Sequence, residues 1–466
     1  MCGIAVGFDD ENAVELMIQL LQHRGPDAQQ MVSLPSGALL GHTRLSILDT
    51  SKRSNQPFKY GHVWMAYNGE CWNYKALRKR FSAKFATTGD TEVVAAMLDR
   101  YGVEALGMLD GMFALAWVDD RLPGVYLARD RFGEIPLYLA MQKPFFAASE
   151  MKALLGTGKV GAKAIRSMEP GHWCNVQRDG IKSTGQFGAD ATPESTDTMH
   201  SAATVLQRQI IAAVQRRSIS DVKVCTMLSG GLDSSLITGV LTELWGPQHV
   251  TAYTGVHDLN STDLRCARKM AIELGITLRE VAVPTPTLEQ LKEVVRIVET
   301  PLKVQVEIGW ACYCLAKAMQ QDGFKVVYSG EGSDELWASY GFAWAGLQKK
   351  GWHRYRRELY ASLERKNYPR NNKIFMSHGI ECRQPFADKD LVPYALSLSA
   401  ATVRGTAGAS CSKKVLALAA MDHVPGYITS RQKIAFQVGL GLSEDITAAY
   451  GDPSGQYREW FEEMYR

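Results

Sequence analysis

The sequence predicts two domains of different class: an α+β layered domain over about residues 1–190, and an α/β domain with a parallel sheet over 191–466. Three observations carry that division. Short β-rich runs and two helical patterns fill the first 155 residues or so. After Val222, apolar strand runs alternate with helical patterns. Two of those later strands end in a turn rich in glycine and serine. A length of 466 residues gives each domain room for its own core.

Composition narrows the class. Hydrophobic residues at 46% and charged residues at 22% are globular values. A formal net charge of +3 gives no bulk attraction to nucleic acid or to a membrane surface. Nine cysteines, an odd number with no CxxC pair, read as reduced thiols in a cytoplasmic protein. Cys312 and Cys314, two apart on a helical pattern, read as core rather than as a metal site. No apolar run has membrane-spanning length and the N-terminus carries no signal-peptide pattern, so no membrane partner is expected.

Taken in order, the chain opens Met1-Cys2-Gly3-Ile4-Ala5-Val6-Gly7-Phe8, an apolar strand with cysteine in second place. Removal of the methionine would join a nucleophile and a base in one residue. The α-amine so freed, with a reference pKa of about 7.7–8.0, can take the proton of its own thiol. Further strands are expected at 63–67, 112–118, 125–128 and 145–148, and helices at 74–85 and 91–100.

Four motifs occur along this stretch: His23-Arg24-Gly25-Pro26-Asp27, Gly41-His42-Thr43-Arg44-Leu45-Ser46-Ile47, Asn68-Gly69-Glu70 and Gly89-Asp90-Thr91-Glu92. In order and spacing they resemble the class II glutamine amidotransferases. The resemblance covers about residues 1–155, including Leu127-Ala128-Arg129-Asp130 and Ser149-Glu150-Met151-Lys152. It implies two stacked antiparallel sheets flanked by helices, with Cys2 attacking glutamine. Hydrolysis through a thioester develops an oxyanion, so donors must be aimed at that charge. The resemblance gives this task to the Asn68 side chain and the Gly69 N–H. It places Arg44 on the α-carboxylate of glutamine, where a planar fork suits two oxygens. Asp90 and Glu70 then receive the α-ammonium and order the site.

Residues 156–198 read as an irregular tail and linker, and a helix over 201–217 delivers the chain to the second domain. There 222–228 reads as a buried strand, Ser229-Gly230-Gly231 as a tight turn, and Ser234 as the opening of a helix. A strand, a glycine turn and a helix N-terminus form an anion site. Ser229, Ser234 and Ser235 supply donors, and Asp233 sits where a carboxylate can hold magnesium. The loop is not a Walker A motif, since GxxxxGK[ST] is absent. The stretch SGGLDSS resembles the pyrophosphate loop of the AMP-forming ATP pyrophosphatases.

Strands follow at 250–255, 278–283 and 325–328, with helices at 264–274, 288–298 and 309–321 between and around them. The last strand ends in Ser329-Gly330-Glu331-Gly332-Ser333-Asp334-Glu335, which brings three carboxylates to the same sheet edge as Asp233. Asp233 and Asp334 are the expected Mg2+ ligands. SGEGSDE resembles the asparagine synthetases. So do Gly379-Ile380-Glu381-Cys382-Arg383-Gln384-Pro385-Phe386-Ala387-Asp388 and Arg431-Gln432-Lys433-Ile434-Ala435-Phe436. That resemblance implies an ATP site built from Leu228, Ser229, Gly230, Gly231, Asp233, Ser234, Ser235, Ser329, Gly330 and Asp388. It gives Glu331 the orientation of the substrate side and Lys433 the charge that develops on adenylation.

The expected function is therefore a glutamine-dependent, ATP-consuming amidotransferase: Cys2 releases ammonia, and the second domain adenylates an acceptor that the ammonia then captures. Two other readings fit less well. An intramolecular amide synthetase would generally lack the nucleophile set that is complete here, and a catalytically dead scaffold would need neither that set nor the phosphate loop. In the asparagine synthetases, threonines and then an arginine follow the Glu-Thr pair. Here Glu299-Thr300 leads into Pro301-Leu302-Lys303-Val304-Gln305-Val306-Glu307. With Glu307 at the arginine position, a neutral or amine-bearing acceptor is expected rather than aspartate. Asparagine formation, and a nucleotide or nucleic-acid-linked acceptor, are the alternatives. The last rests on Lys349, Lys350, Trp352, His353, Arg354, Tyr355, Arg356 and Arg357, followed by Arg365, Lys366, Tyr368, Arg370 and Lys373. A solvated helix face is the plainer reading of that segment. The sequence leaves room for a homodimer.

Overall fold

Gly3–Phe8 is buried along its whole length and seeds the first sheet. It pairs antiparallel with Ala38–Arg44 on one side and Phe146–Ala148 on the other, inside a six-stranded antiparallel sheet. The computed structural model to which these elements belong describes residues 1–82, 84–188, 193–340, 343–405, 413–430 and 441–465, leaving aside the side chain of Trp344. The segment Arg431–Phe436 with Lys433 therefore lies outside the described residues.

A second six-stranded antiparallel sheet is built on Val63–Cys71 and Gly111–Asp119, paired from Val63↔Asp119 to Cys71↔Gly111. Alternation along each strand decides what the sheets bury. Ile4, Val6 and Phe8 point inward, into one cluster with Ala66, Ala114 and Ala116 of the facing sheet. Ala5 points outward, under Val14, Met17 and Ile18 of the helix Glu11–Leu20. On the far side, Val93, Val94 and Met97 of the helix Thr91–Tyr101 pack on Met65, Tyr67 and Phe113. The first domain is thus two stacked antiparallel sheets between helices.

Two expectations need correction here. The stretch 156–198 is not irregular throughout: it holds the strands Ile165–Ser167, His172–Gln177 and Gly180–Gln186. Gly180–Gln186 is an edge strand with no buried residue, so neither face leaves a period-two signal. The helix expected at 74–85 stops at Arg78. Phe81 and Phe85 instead turn edge-to-face on each other, 5.7 Å apart, with Phe85 stacked on Tyr60.

The third sheet has five parallel strands in the order Thr277–Ala282, Thr251–Val256, Val224–Met227, Val326–Tyr328, Glu381–Arg383. Helices cover both faces. Met199–Arg216 and Leu232–Trp245 supply one cluster, Leu288–Val298 and Lys303–Gln321 another. Chain order reverses between Val224–Met227 and Val326–Tyr328, which opens a crevice where the loops after these two strands part to opposite faces. Those loops are the two glycine-serine turns. The expected boundary near residue 190 falls between Gln186 and Met199. The domains share a seam, since Val326 and Met376 join Met1 in the cluster of the first domain.

Two candidate sites and the seam between them

Cys2 is buried just before the first strand, whose Gly3 lies opposite Thr43, and sits beside Asn68. Its nitrogen donates to Asn68 Oδ1 at 2.7 Å, and its carbonyl accepts from Arg24 Nε at 2.9 Å. Among the described residues Asn68 Nδ2 has no hydrogen-bond partner, although it is fully buried. A buried amide donor without an acceptor is costly unless a ligand supplies one, which is what an oxyanion hole holds in reserve. Gly69 cannot be replaced lightly, since a Cβ there would lie 2.1 Å from the Met112 carbonyl. Burial raises the Cys2 thiol above its ordinary pKa, opposed by the N-terminal ammonium, the Leu45 N–H and Arg44.

Arg44 is held by the loop that follows its strand. Its guanidinium donates to the carbonyls of Ser51 at 2.7 Å and Asp49 at 2.5 Å, and to Asn55 Oδ1 at 2.8 Å. Its electrostatic neighbours are Cys2, Asp49, Asp27 and Asp90. Asp90 accepts from Tyr67 Oη at 3.0 Å and from the Cys71 N–H at 2.9 Å, and burial lifts its pKa to about 6. Glu70 leans instead toward the seam, 3.8 Å from Arg383, and burial with the Glu381 and Asp90 charges pushes its carboxyl well up. Met1 lies there too: its ammonium donates to Glu381 Oε2 at 2.7 Å.

In the second domain, the turn after Val224–Met227 is stitched by its own hydroxyls. Ser229 Oγ lies 3.0 Å from Ser234 Oγ, which accepts from the Ser229 N–H at 3.1 Å. Gly230 takes a φ of +77°, and a Cβ on it would meet the Asp263 carbonyl at 2.2 Å, so the turn demands glycine twice over. Gly231 caps the helix Leu232–Trp245, whose first turn carries Asp233, Ser234 and Ser235. Ser235 Oγ is buried without a partner among the described residues. The second turn comes close: a Cβ on Gly330 would lie 3.1 Å from Asp233 Cβ and from the Ser234 nitrogen.

Asp233 and Asp334 therefore meet across the crevice, and between them lies the ammonium of Lys413. Its Nζ is 2.9 and 2.7 Å from the two oxygens of Asp233 and 2.5 Å from Asp334. Two carboxylates that converge on one cation are a donor set that suits Mg2+. Among the described residues no third His, Cys, Asp or Glu joins them. A shortfall of protein ligands is usual for Mg2+, which fills its shell with phosphates and water.

Glu331 sits beside this point, within a cluster that the sequence did not reveal. It pairs with Arg370 and accepts from Asn367 Nδ2 at 2.8 Å and Asn371 Nδ2 at 3.3 Å. Arg370 also donates to Gln305 Oε1 at 3.0 Å, which brings one residue of the 301–307 stretch into the cluster. Glu307 does not follow. The helix begins at Lys303 rather than 309, so two residues onward means a turn of about 200°. Glu307 faces away, accepting from Ser443 at 2.5 Å with Lys303 at 3.9 Å. Asp388 is not brought to the phosphate turn. Fully buried, its carboxylate binds Arg216 at 2.6 Å and Arg217 at 2.8 Å, and these hold it down at a pKa of about 2.

The basic-aromatic segment divides between a solvated face and the core. Arg356 is buried and donates to the carbonyls of Leu336, Ala395 and Leu398. Tyr368, Arg370 and Lys373 are buried as well, leaving Lys349, Lys350, Arg354, Arg357, Arg365 and Lys366 exposed. Its helix Asn367–Met376 ties the two sites. Arg370 and Asn371 hold Glu331, while Asn372 Oδ1 accepts from Arg24, the residue that holds Cys2, at 2.8 Å. Lys373 pairs with Glu299 at 2.6 Å, and Glu299 accepts the N–H groups of Met151 and Lys152. Arg24 belongs to the motif His23-Arg24-Gly25-Pro26-Asp27, but only the fold shows what it touches.

Comparison with known proteins agrees with both halves of this layout. A family described as glutamine amidotransferase domain matches residues 1–167, and one described as asparagine synthase matches 205–368 and 343–464. The chain is 28% identical to glutamine-hydrolysing asparagine synthetase B of Escherichia coli (strain K12), over 100% of this chain and 91% of the relative. It is 31% identical to glutamine-hydrolysing asparagine synthetase 2 of Arabidopsis thaliana, over 95% of this chain and 80% of the relative. Among solved structures, the glutamine phosphoribosylpyrophosphate amidotransferase of B. subtilis matches at a TM-score of 0.36 and 16% identity, covering 72% of this chain and 77% of that one.

Proposed function

Because the chain belongs to the asparagine synthase family, and is a glutamine-hydrolysing ligase of that kind, we propose the division of labour that follows. Cys2 attacks the side-chain amide of glutamine once Met1 is removed, with its freed α-amine as base. The Asn68 carboxamide positions that amine through Oδ1 and turns Nδ2 on the oxyanion. Arg44 and Asp90 hold the α-carboxylate and α-ammonium, and Glu70 orders the wall behind them. The orphaned, buried Nδ2 is the observation that carries this half.

In the second domain, Leu228 to Gly231, Ser234, Ser235, Ser329 and Gly330 form the cradle for ATP phosphates, and Asp388 orders it from behind through Arg216 and Arg217. Asp233 and Asp334 would hold Mg2+, which when bound offsets the phosphate charge. Glu331, oriented by Arg370, faces the acceptor. The products of this half are an acyl adenylate and pyrophosphate, and ammonia then displaces AMP. Lys433 is assigned to the developing charge by its motif alone.

We propose further that the acceptor is not aspartate. Glu307 faces elsewhere, so it repels nothing here. Among the described residues the cation of the Glu331 cluster is Arg370, already paired, and the 303–307 stretch contributes only the neutral Gln305. An acceptor bearing an extra carboxylate finds no unmatched charge in that cluster. Aspartate is the competing reading, favoured by the printed names of the relatives.

The test supplies candidate acceptors with glutamine and ATP and weighs the products. Cys2→Ala should abolish amidation from glutamine yet keep it with added ammonia. Loss of both in a folded variant, or ADP as product, overturns the proposal. Brisk asparagine formation from aspartate overturns the acceptor reading alone.

A further inference from the structure

Lys413 has no role in the chemistry above, yet its ammonium occupies the point where Asp233 and Asp334 converge. All three N–H donors of that ammonium are spoken for by these carboxylates, with Ser333 Oγ further off at 3.5 Å. The side chain is 5% exposed. The aim is set by packing, because Lys413 caps the helix Lys414–Ala419, whose Val415, Leu416 and Ala419 lie in the main core cluster. The backbone is thus anchored, and the free variable is a flexible four-carbon stem.

We propose that Lys413 is a resident counter-cation: it holds the two carboxylates together in the nucleotide-free protein, yields them to the divalent ion that arrives with ATP, and then pairs with the phosphates. The proposal rests on the reading of this crevice as a Mg2+–ATP site. Its physical basis is competition for one position. Asp233 and Asp334 start from different strand ends and would repel each other at this separation with nothing between them. An ammonium and a metal ion cannot share the same oxygens. A displaced ammonium, still nearly buried, requires another anion. The phosphates of the incoming nucleotide are that anion, delivered to the same turn. Lys413 thereby keeps the loops set for ATP while discouraging metal from binding alone.

The measurement is Mn2+ binding without nucleotide, followed by the electron paramagnetic resonance of the free ion. Lys413→Met keeps the length of the stem and removes the charge. It should bind Mn2+ about tenfold tighter than the wild type, or more, while its KM for ATP in ATP–pyrophosphate exchange rises. Unchanged or weaker Mn2+ binding in the variant overturns the proposal. A second measurement needs no variant: acetylation of lysines in the wild type, mapped by mass spectrometry. Modification of Lys413 should rise with Mn2+ alone and fall again when ATP is added. Modification indifferent to Mn2+ overturns the proposal as well. Failure of the parent reading looks different, because then the wild type itself shows no ATP–pyrophosphate exchange.

Discussion

The Asn68 carboxamide holds the Cys2 nitrogen through Oδ1 and leaves Nδ2 buried without an acceptor among the described residues, the geometry on which its proposed double role toward base and oxyanion rests. In the proposed glutamine site, Asp90 adds a second titration. Burial raises it to about 6 against the hydrogen bonds from Cys71 and Tyr67, and it must be ionised to receive an ammonium group. The freed amine of Cys2 must be neutral to act as base, with a reference pKa of about 7.7–8.0. The expected profile of kcat/KM for glutamine hydrolysis therefore falls with a slope near one below that value, and steepens toward two below pH ~6. In Asp90→Asn the rate is lower throughout and the second break is gone. A wild-type profile with one break removes Asp90 from the binding step.

At the scale of the element, the turn Ser229–Gly231 shows why two adjacent glycines are not equivalent. Gly230 combines a φ of +77° with a Cβ position 2.2 Å from the Asp263 carbonyl. Gly231 has an ordinary φ, and a Cβ on it would lie 3.4 Å from Ser229 Oγ. Gly230→Ala should cost ~1–3 kcal/mol of stability, and it displaces the turn enough to lower ATP–pyrophosphate exchange roughly a hundredfold. Glutaminase activity should survive, because that chemistry lies in the other domain. Gly231→Ala should remain near the wild type in stability. Thermal melts with both assays separate the cases, and equal damage from the two substitutions contradicts this account.

Across the molecule, buried ion pairs join the domains. Asp388 binds Arg216 and Arg217, and Arg216 lies 3.8 Å from Asp110 of the first domain. The carboxyl of Asp388 is held at about 2, below the ~3.9 of an unfolded chain. Its contribution is thus present above pH ~4 and is lost as the pH falls through 2, amounting to ~2–3 kcal/mol. Denaturant titrations should find Asp388→Asn less stable than the wild type at pH 7, with the gap closing toward pH 2. A gap independent of pH assigns the loss to packing rather than charge. Removing one partner from such a pair is costly because the other charge stays buried.

The sequence by itself determined the two domain classes and the residues whose chemistry is local. A glycine turn between strand and helix, stitched by the serines beside it, is required by the backbone it stands on, so its spacing displays it. The polar edge strand Gly180–Gln186 left no such mark, because neither of its faces is buried. Facing was also decided only in space. A helix that starts at Lys303 instead of 309 sends Gln305 to Arg370 and Glu307 to Ser443, and nothing within the segment fixes that starting point. The tertiary structure alone brought Arg24 to Asn372, Arg370 to Glu331 and Lys413 to Asp233. Each of these is a buried polar group that must find a partner wherever the fold supplies one, and separation along the chain has no bearing on that search.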